Sequence, residues 1–292
     1  MMGGLISAEF RKTTTTGLWW GLMIPTVLLA LGWSLGTGAL LQSIGEALTS
    51  EDGDVLLGGL LGVSADQWKL SVFGITRSIN IATIFPMIFG GLAVASEFNR
   101  KTITTTFLTA PNRVSAMTAK LVVYLAWGAI YGLIIVTTVS IGIALTADSS
   151  QLPEAGGWFA LCAVGVLSTM LMTMFGVGVG ALMNSTVGTT VVLVLYMLVI
   201  ENGLQLVLQF QDLSSVIAFL PNGAANGITG GVAADVFMGN VGVVPDGLKE
   251  VLMGAAGAAG ALDWWLSTLV FLGWTAVFFA GGWAVTQKRD IT

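Results

Sequence analysis

Six long apolar stretches, separated by more polar segments, constrain the fold of this chain more than any other feature of its sequence. A helix that crosses the hydrocarbon core of a bilayer needs about 20 mostly apolar residues. The six stretches reach that length, and they run over residues 17–41, 72–96, 121–146, 157–183, 187–210 and 262–285. Only 9% of the residues are charged, against about 25% in soluble domains. The sequence therefore predicts an all-α integral membrane protein with one transmembrane domain of six helices.

The positions of Lys and Arg predict how the spans are oriented. Basic residues concentrate in the cytoplasmic segments of membrane proteins. With the N-terminus inside, most of the 11 basic residues fall on the cytoplasmic side, among them Arg11, Arg100 and Lys288. Acidic residues such as Glu46 and Asp148 then fall outside. We therefore expect a multi-pass protein of the bacterial plasma membrane with both termini in the cytoplasm.

Two segments outside the spans have patterns of their own. Residues 1–16 combine apolar side chains with a basic end, which predicts an interfacial elbow helix; the alternative is a frayed, positively charged terminus. Residues 211–261 hold apolar stretches too short to span, and the run 221–227 is rich in Pro, Asn and Gly, which predicts a turn. For this segment we expect outer re-entrant or interfacial half-helices.

The loop between spans two and three is the most polar segment on the expected cytoplasmic side. Its apolar side chains, among them Phe98 and Phe107, would be costly on a bare surface, which indicates contact with the membrane or with a protein partner. Pro111 stops any preceding helix, and Ser115 is a candidate cap for the next one. The loop therefore predicts a short helix, a turn, and a helix that enters span three.

Residues 97–120 also carry a recognisable pattern. Glu97 ends span two, the basic residue Arg100 follows, then the run 108–113 (Leu-Thr-Ala-Pro-Asn-Arg), and Lys120 opens span three. Together with the basic elbow, the six spans and the outer hairpin before the last span, this pattern resembles the permease subunits of the ABC type-2 exporter family. Members of that family often carry a glutamate, a basic residue, an L-x-x-P-x-R-like run and a lysine in this order.

The resemblance implies a set of partners. In that family the second cytoplasmic segment includes a coupling helix that sits on a separate ATPase subunit, and here 97–120 would be that coupling segment. The ATPase-coupling residues would be Glu97, Phe98, Arg100, Lys101, Phe107, Leu108, Pro111 and Arg113. The chain has no G-x-x-x-x-G-K-[ST] phosphate loop, so this chain binds no cofactor, and ATP and Mg belong to two copies of the partner ATPase. The resemblance also implies a second, identical permease subunit.

Polar residues within the spans are candidates for a substrate pathway, because an ionisable side chain in a bilayer is costly. Glu201, Gln205 and Gln209 follow at four-residue steps in span five and share one helix face. Arg77 and Asn80 lie three residues apart in span two, and Arg77 is a candidate partner for Glu201. Two interpretations stay open, a polar lining of the route or an ion pair that pins two helices.

The composition argues against most enzymatic chemistry. The chain has no histidine and one cysteine, Cys162, so histidine acid–base catalysis and intrachain disulfides are excluded, and we predict no catalytic residue and no metal site. The net charge of −5 does not indicate a nucleic-acid partner. We expect an ATP-driven exporter of a hydrophobic or amphipathic compound, either a small molecule or lipid-like. The alternatives are an ATP-independent secondary transporter and a ligand-holding sensor or immunity protein.

Overall fold

Helices make up the regular structure of the chain wherever it is described. The computed structural model describes residues 2–48, 50, 68–102, 112–183, 185–241, 250, 253–254 and 256–288. Within this part, six helical segments are long and apolar enough to cross a membrane. The prediction of a helical chain with six segments of membrane-spanning length is therefore confirmed.

The helices are labelled here in chain order. Their bounds are α1 Met2–Thr15, α2 Leu18–Leu48, α3 Ser71–Ala82, α4 Ile84–Asn99, α5 Arg113–Thr146, α6 Ala155–Met183, α7 Thr186–Leu195, α8 Glu201–Phe210, α9 Ser214–Ile217, α10 Pro221–Val241 and α11 Trp264–Lys288. Spans one, three, four and six are α2, α5, α6 and α11. Span two consists of α3 and α4, and span five consists of α7, a π-helical turn over Tyr196–Ile200, and α8.

Contacts between neighbouring spans show which parts of the chain lie together at each end of the bundle. The terminal face holds α1, the last turns of α4 and the first turns of α5, where Lys120 contacts both Glu9 and Glu97. The distal face holds the start of α3 and the connection between spans three and four, where the Ser71 hydroxyl donates to the carbonyl oxygen of Gln151. The end of α11 also lies toward the terminal face, because Phe279 and Trp283 pack against the same apolar cluster as Leu18 and Phe98.

Spans two and four form the centre of the bundle, whereas spans one, five and six lie at its periphery. The central pair approaches closely because glycines lie at the contact. A Cβ atom at Gly176 would overlap the carbonyl oxygen of Met87, and one at Gly180 would overlap that of Gly91. Small residues at such crossings allow two backbones to touch in a membrane protein. The peripheral spans instead expose apolar side chains such as Leu28, Val187 and Phe210.

Span three begins earlier than its apolar run. Helix α5 starts at Arg113 rather than at 121, and its cap is Asn112 instead of the predicted Ser115. The Asn112 backbone is extended, and its Oδ1 accepts the Ser115 N–H at 2.7 Å, which is the usual geometry of an N-cap. The first two turns of α5 alternate apolar residues with Arg113, Ser115, Thr118 and Lys120, which is why the apolar run begins later than the helix.

The turn predicted over 221–227 is wrong, because helix α10 begins at Pro221. Proline suits the first position of a helix, where its missing N–H would have no partner in any case. Before α10 the chain turns back into the bundle, and the indole N–H of Trp274 donates to the carbonyl oxygen of Phe219 at 2.8 Å. Helix α10 then packs against spans four and six and against α3. Residues 242–249, 251–252 and 255 of the predicted outer segment lie outside the described residues.

Candidate functional site

A polar cleft lies between span two, span four, span five and the first turns of α10. Its empty volume is about 410 Å³, part of it open to the surroundings. The polar side of the cleft is formed by Arg77, Asn80, Thr83, Asn202, Asn222 and Asn226. Methionines from three different spans form much of its apolar side. Two of the predicted pathway residues, Arg77 and Asn80, therefore share one cleft, whereas Glu201, Gln205 and Gln209 do not line it.

Span two is interrupted beside this cleft. Pro86 has no N–H to donate to the carbonyl of Ala82, so the helical ladder loses a bond there. Helix α3 ends at Ala82 and α4 begins at Ile84, and between them the Thr83 hydroxyl donates to the carbonyl oxygen of Asn80 at 2.7 Å. The interruption separates the distal half of span two, which carries the polar cleft residues, from the terminal half.

Span five is also irregular where it borders the cleft. Its π-helical turn over Tyr196–Ile200 directly precedes Glu201, and such turns occur often at functional sites. The side-chain amide of Asn202 donates to the carbonyl oxygens of Met197 at 2.9 Å and Leu198 at 3.0 Å. Asn202 thus satisfies backbone acceptors in the turn that presents Met197 and Leu198 to the cleft.

Glu201 is fully buried and binds the N-terminus of α10. Its Oε2 accepts the Asn222 N–H at 2.9 Å, and its Oε1 accepts the Gly223 N–H at 2.7 Å. Gln205 adds a bond from its side-chain amide at 3.2 Å. The first N–H groups of a helix have no partner within the helix, and the helix dipole favours a negative charge beside them. Glu201 therefore caps α10 from span five.

The pair expected between Arg77 and Glu201 is not present. Among the described residues, no ion pair includes either side chain. Glu201 does pin two elements together, but they are span five and α10 rather than spans two and five. Gln205 belongs to this arrangement, whereas Gln209 is exposed and takes no part in it.

Sequence reasoning missed the three asparagines that complete the polar side of the cleft. Asn222 and Asn226 lie in a run that predicts a turn, so their common helix face was not recognised. Once α10 is known to begin at Pro221, their four-residue spacing places both on one side of the helix. Asn202 directly follows Glu201, and an asparagine beside a carboxylate in an apolar span is the signal that would have identified it.

A cluster of four charges closes the terminal face. We name Glu9, Lys12, Glu97 and Lys120 the terminal clamp. Lys120 Nζ donates to Glu9 Oε1 at 2.5 Å, to Glu97 Oε1 at 2.7 Å and to the carbonyl oxygen of Ala93 at 3.3 Å. Lys12 pairs with both carboxylates. The clamp connects α1 with the ends of spans two and three at the terminal face.

The clamp is balanced in charge, with two carboxylates and two ammonium groups. Lys120 is 1% exposed and Glu97 is 2% exposed, so each depends on its partners to offset the loss of hydration. Burial raises the pKa of Glu9, but the charges of Lys120 and Lys12 outweigh burial, and the pKa of this carboxyl lies below its ordinary value of 4.5. Glu9 is therefore ionised at neutral pH, as the clamp requires.

The clamp changes the role of one predicted coupling residue. Glu97 is buried, so its carboxylate does not lie on a surface where a partner would dock. Phe98 is half-buried and packs against an aromatic cluster that includes Trp127. Arg100 and Lys101 are exposed at the terminal face. Phe107, Leu108, Pro111 and the side chain of Arg113 lie outside the described residues.

Comparison with known proteins does not identify a family. The chain matches no protein-family model and no curated protein. The likeness to ABC type-2 permeases therefore stays a prediction that rests on residues 97–120 and the layout of the chain. In the described part of the chain, no three His, Cys, Asp or Glu side chains are placed to hold a metal ion.

Proposed function

We propose that this chain is the membrane-spanning permease subunit of an ATP-driven exporter, which moves a hydrophobic or amphipathic compound out of a bacterial cell. Two copies of a separate ATPase subunit would bind ATP and Mg, and a second copy of this chain would complete the membrane part. The terminal face, with both chain ends, would lie in the cytoplasm. The segment 211–261 would then be an outer re-entrant segment.

The proposal rests mainly on span two, which reaches from the terminal face to the polar cleft. At its terminal end, Glu97 is held in the terminal clamp with α1 and span three. At its distal end, the same span contributes Arg77 and Asn80 to the polar cleft. A transporter driven by an ATPase needs a mechanical connection between the docking surface and the substrate route. Span two supports such a connection because α4, which carries Glu97, also contributes Ile84 and Met87 to the cleft that α3 lines with Arg77 and Asn80.

Two exposed cations make the terminal face suitable for a protein partner. Arg100 and Lys101 follow the end of α4 and lie on its surface. Lys101 has a positive φ of 57°, which ends the helix and turns the chain toward the loop. The two cations next to the buried clamp support docking onto an acidic surface, and this is where the family resemblance expects the ATPase.

Purification from the native membrane tests the proposal. The chain should copurify in lipid nanodiscs with an ATPase in a two-to-two ratio, and the complex should hydrolyse ATP in a Mg-dependent, vanadate-sensitive manner. The double variant Arg100→Gln/Lys101→Asn should lose ATPase from the complex, because asparagine keeps the positive φ while the charge is removed. Ser149→Ala, an exposed change at the distal face, is the matched control and should retain it.

Two results would contradict the exporter. The first is a chain that purifies at native abundance with no associated Mg-dependent ATP hydrolysis. The second is transport by the reconstituted chain alone that stops when an ionophore collapses the ion gradient, which would identify a secondary transporter. Equal ATPase content in the double variant and the control would place the docking surface elsewhere.

A further inference from the structure

Arg77 is a cation without a counter-ion in the described part of the protein. It lies in α3, within a membrane-spanning segment, and no ion pair there includes it. Its guanidinium packs against Gly257, where a Cβ atom would overlap Nη1. Gly257 also has a φ of 76°, a conformation that glycine adopts without strain. The fold thus makes room for the guanidinium beside the cleft, and no carboxylate of the described residues pairs with it.

Asn80 presents a second unsatisfied group. It lies three residues after Arg77, on the same face of α3, and only 9% of it is exposed. Its Oδ1 accepts a bond from the Thr229 hydroxyl at 2.8 Å, whereas its buried Nδ2 has no partner. Buried polar groups without partners are rare in native structures, and each one calls for an explanation. A ligand group that accepts hydrogen bonds would satisfy both Asn80 and Arg77.

The carboxylate that would compete for Arg77 is occupied elsewhere. Glu201 is saturated by the N–H groups of Asn222 and Gly223 and by Gln205, so its charge is compensated by the N-terminus of α10. Of the described residues that line the cleft, only Arg77 carries a charge.

The apolar part of the cleft lining is adaptable. Met87, Met172 and Met197 contribute to it from spans two, four and five. Methionine side chains are flexible and polarizable, and they fit apolar groups of varied shape. The cleft therefore combines a cation and an amide with a thioether surface.

We propose that this cleft binds the anionic head group, a carboxylate or a phosphate ester, of an amphipathic molecule. Arg77 is its counter-ion and Asn80 its hydrogen-bond donor, and the methionines contact the apolar chain. That the molecule is exported cargo rests on the proposed function, whereas binding in the cleft does not. The same head group is found on membrane lipids and on free amphiphiles, and the experiment separates these two sources.

Equilibrium binding to the full chain tests the site without any ATPase. The chain is placed in phosphatidylcholine nanodiscs, and radiolabelled dodecyl phosphate and dodecanoate are the probes. Arg77→Gln should weaken binding of both by about tenfold or more, whereas Arg77→Lys should stay within about threefold of the wild type because it keeps the charge. Asn80→Asp, which is close in shape but replaces the donor with an acceptor, should also reduce binding. Gln209→Ala, exposed and outside the cleft, should have no effect.

Competition identifies the source of the ligand. Displacement of the probe by added phosphatidylglycerol indicates a lipid head group, and displacement only by free alkyl phosphates indicates a soluble amphiphile. Unchanged affinity in both Arg77→Gln and Asn80→Asp, each with a wild-type melting temperature, would overturn the site. Equally strong competition by dodecyltrimethylammonium, or by inorganic phosphate alone, would overturn the chemistry proposed for it. If the probes bind as expected but the chain purified from the native membrane carries no ATPase, the exporter is refuted and the site stays intact.

Discussion

Glu201 is a carboxylate in an apolar span whose partners are mainly backbone groups of another helix. Two N–H groups of α10 and one side-chain amide satisfy it. Charge-assisted hydrogen bonds of this kind are stronger than neutral ones, and the α10 dipole adds to them. Glu201 therefore fixes the position of α10, and through Asn222 and Asn226 it shapes one wall of the cleft.

Glu201→Gln should destabilise the protein by about 1–3 kcal/mol. The variant keeps the shape of the side chain but removes its charge, and one of its oxygens becomes an NH₂ that faces the N–H groups of α10. Thermal unfolding in a mild detergent measures the loss. Gln209→Ala on the same helix face is the control and should change stability by less than about 0.5 kcal/mol. A melting temperature for Glu201→Gln equal to that of the control would refute the capping role.

The sequence identified Glu201 as a candidate but not its partners. A carboxylate in an apolar run is conspicuous because of its cost in a membrane. Its donors are the main-chain N–H groups of residues 222 and 223. Almost every residue has such a group, so the sequence does not show which of them will bind the carboxylate. A pattern of side chains can offer only another charged residue such as Arg77 as a partner, and Arg77 lies in the cleft, which Glu201 does not line.

Helix α1 depends on the terminal clamp and on aromatic contacts for its position. Phe10 stacks on Trp127 with ring centroids 5.8 Å apart, and Glu9 binds Lys120. Lys120→Met should destabilise the protein by about 3–5 kcal/mol, because Glu9 and Glu97 then keep one shared cation between them. Limited proteolysis at Arg11 together with thermal unfolding measures the release of α1. Lys101→Asn, an exposed cation on the same face, should leave both readouts unchanged.

A double-mutant cycle separates the clamp from simple packing. Glu9→Gln combined with Lys120→Met should cost less than the sum of the two single changes, with a coupling energy of about 0.5–3 kcal/mol. Strict additivity of the two changes would mean that Lys120 is not coupled to Glu9 and would leave Glu97 as its carboxylate partner.

The clamp should also make the protein sensitive to acid. The pKa of Glu9 in the folded protein lies below its ordinary value of 4.5, so the folded state favours the ionised carboxylate. The stability that ionised Glu9 contributes to the fold is fully present above about pH 4.5. It is lost as the pH falls through the lower pKa that Glu9 has in the folded protein. Melting temperatures between about pH 3 and 7 should therefore fall more steeply in the wild type than in Glu9→Gln. Parallel curves would show that Glu9 does not contribute.

Element boundaries were less predictable than the elements themselves. Apolar length located all six spans, but α5 begins at Arg113 rather than at 121, and the Arg, Ser, Thr and Lys residues of its first two turns kept the predicted boundary too late. Helix α10 was missed because Pro, Asn and Gly are turn residues in isolation. Its first turns form because a distant carboxylate caps them and because the glycines allow close packing, as at Gly223, where a Cβ would overlap the Ile217 carbonyl.

Over the whole molecule, the orientation in the membrane is the most direct prediction to check. In a Cys162→Ala background, an impermeant maleimide added to intact cells should label Ser149→Cys and should not label Arg100→Cys. Both positions are exposed, and they lie at the distal and terminal faces. After the cells are opened, both variants should react. Labelling of Arg100→Cys in intact cells would reverse the orientation and place the basic segments outside.

The arrangement of the spans could not be predicted from their composition. In a soluble protein the apolar face of a helix points to the core, but in a bilayer both the core and the lipid are apolar. Peripheral span five and central span four have similar hydropathy, so hydropathy does not distinguish them. Glycines such as Gly176 and Gly180 are a better guide, because small residues mark close crossings.

The capping of α10 by Glu201 has a consequence for the order in which the protein is made. The donors of Asn222 and Gly223 lie 21 and 22 residues further along the chain, and a ribosome adds roughly 5–20 residues per second. Span five therefore leaves the ribosome about 1–4 seconds before its carboxylate has a partner. During that interval the carboxylate of Glu201 lacks its α10 donors, so we expect it to be protonated, hydrated or shielded by the insertion machinery until the hairpin that follows has turned back to meet it.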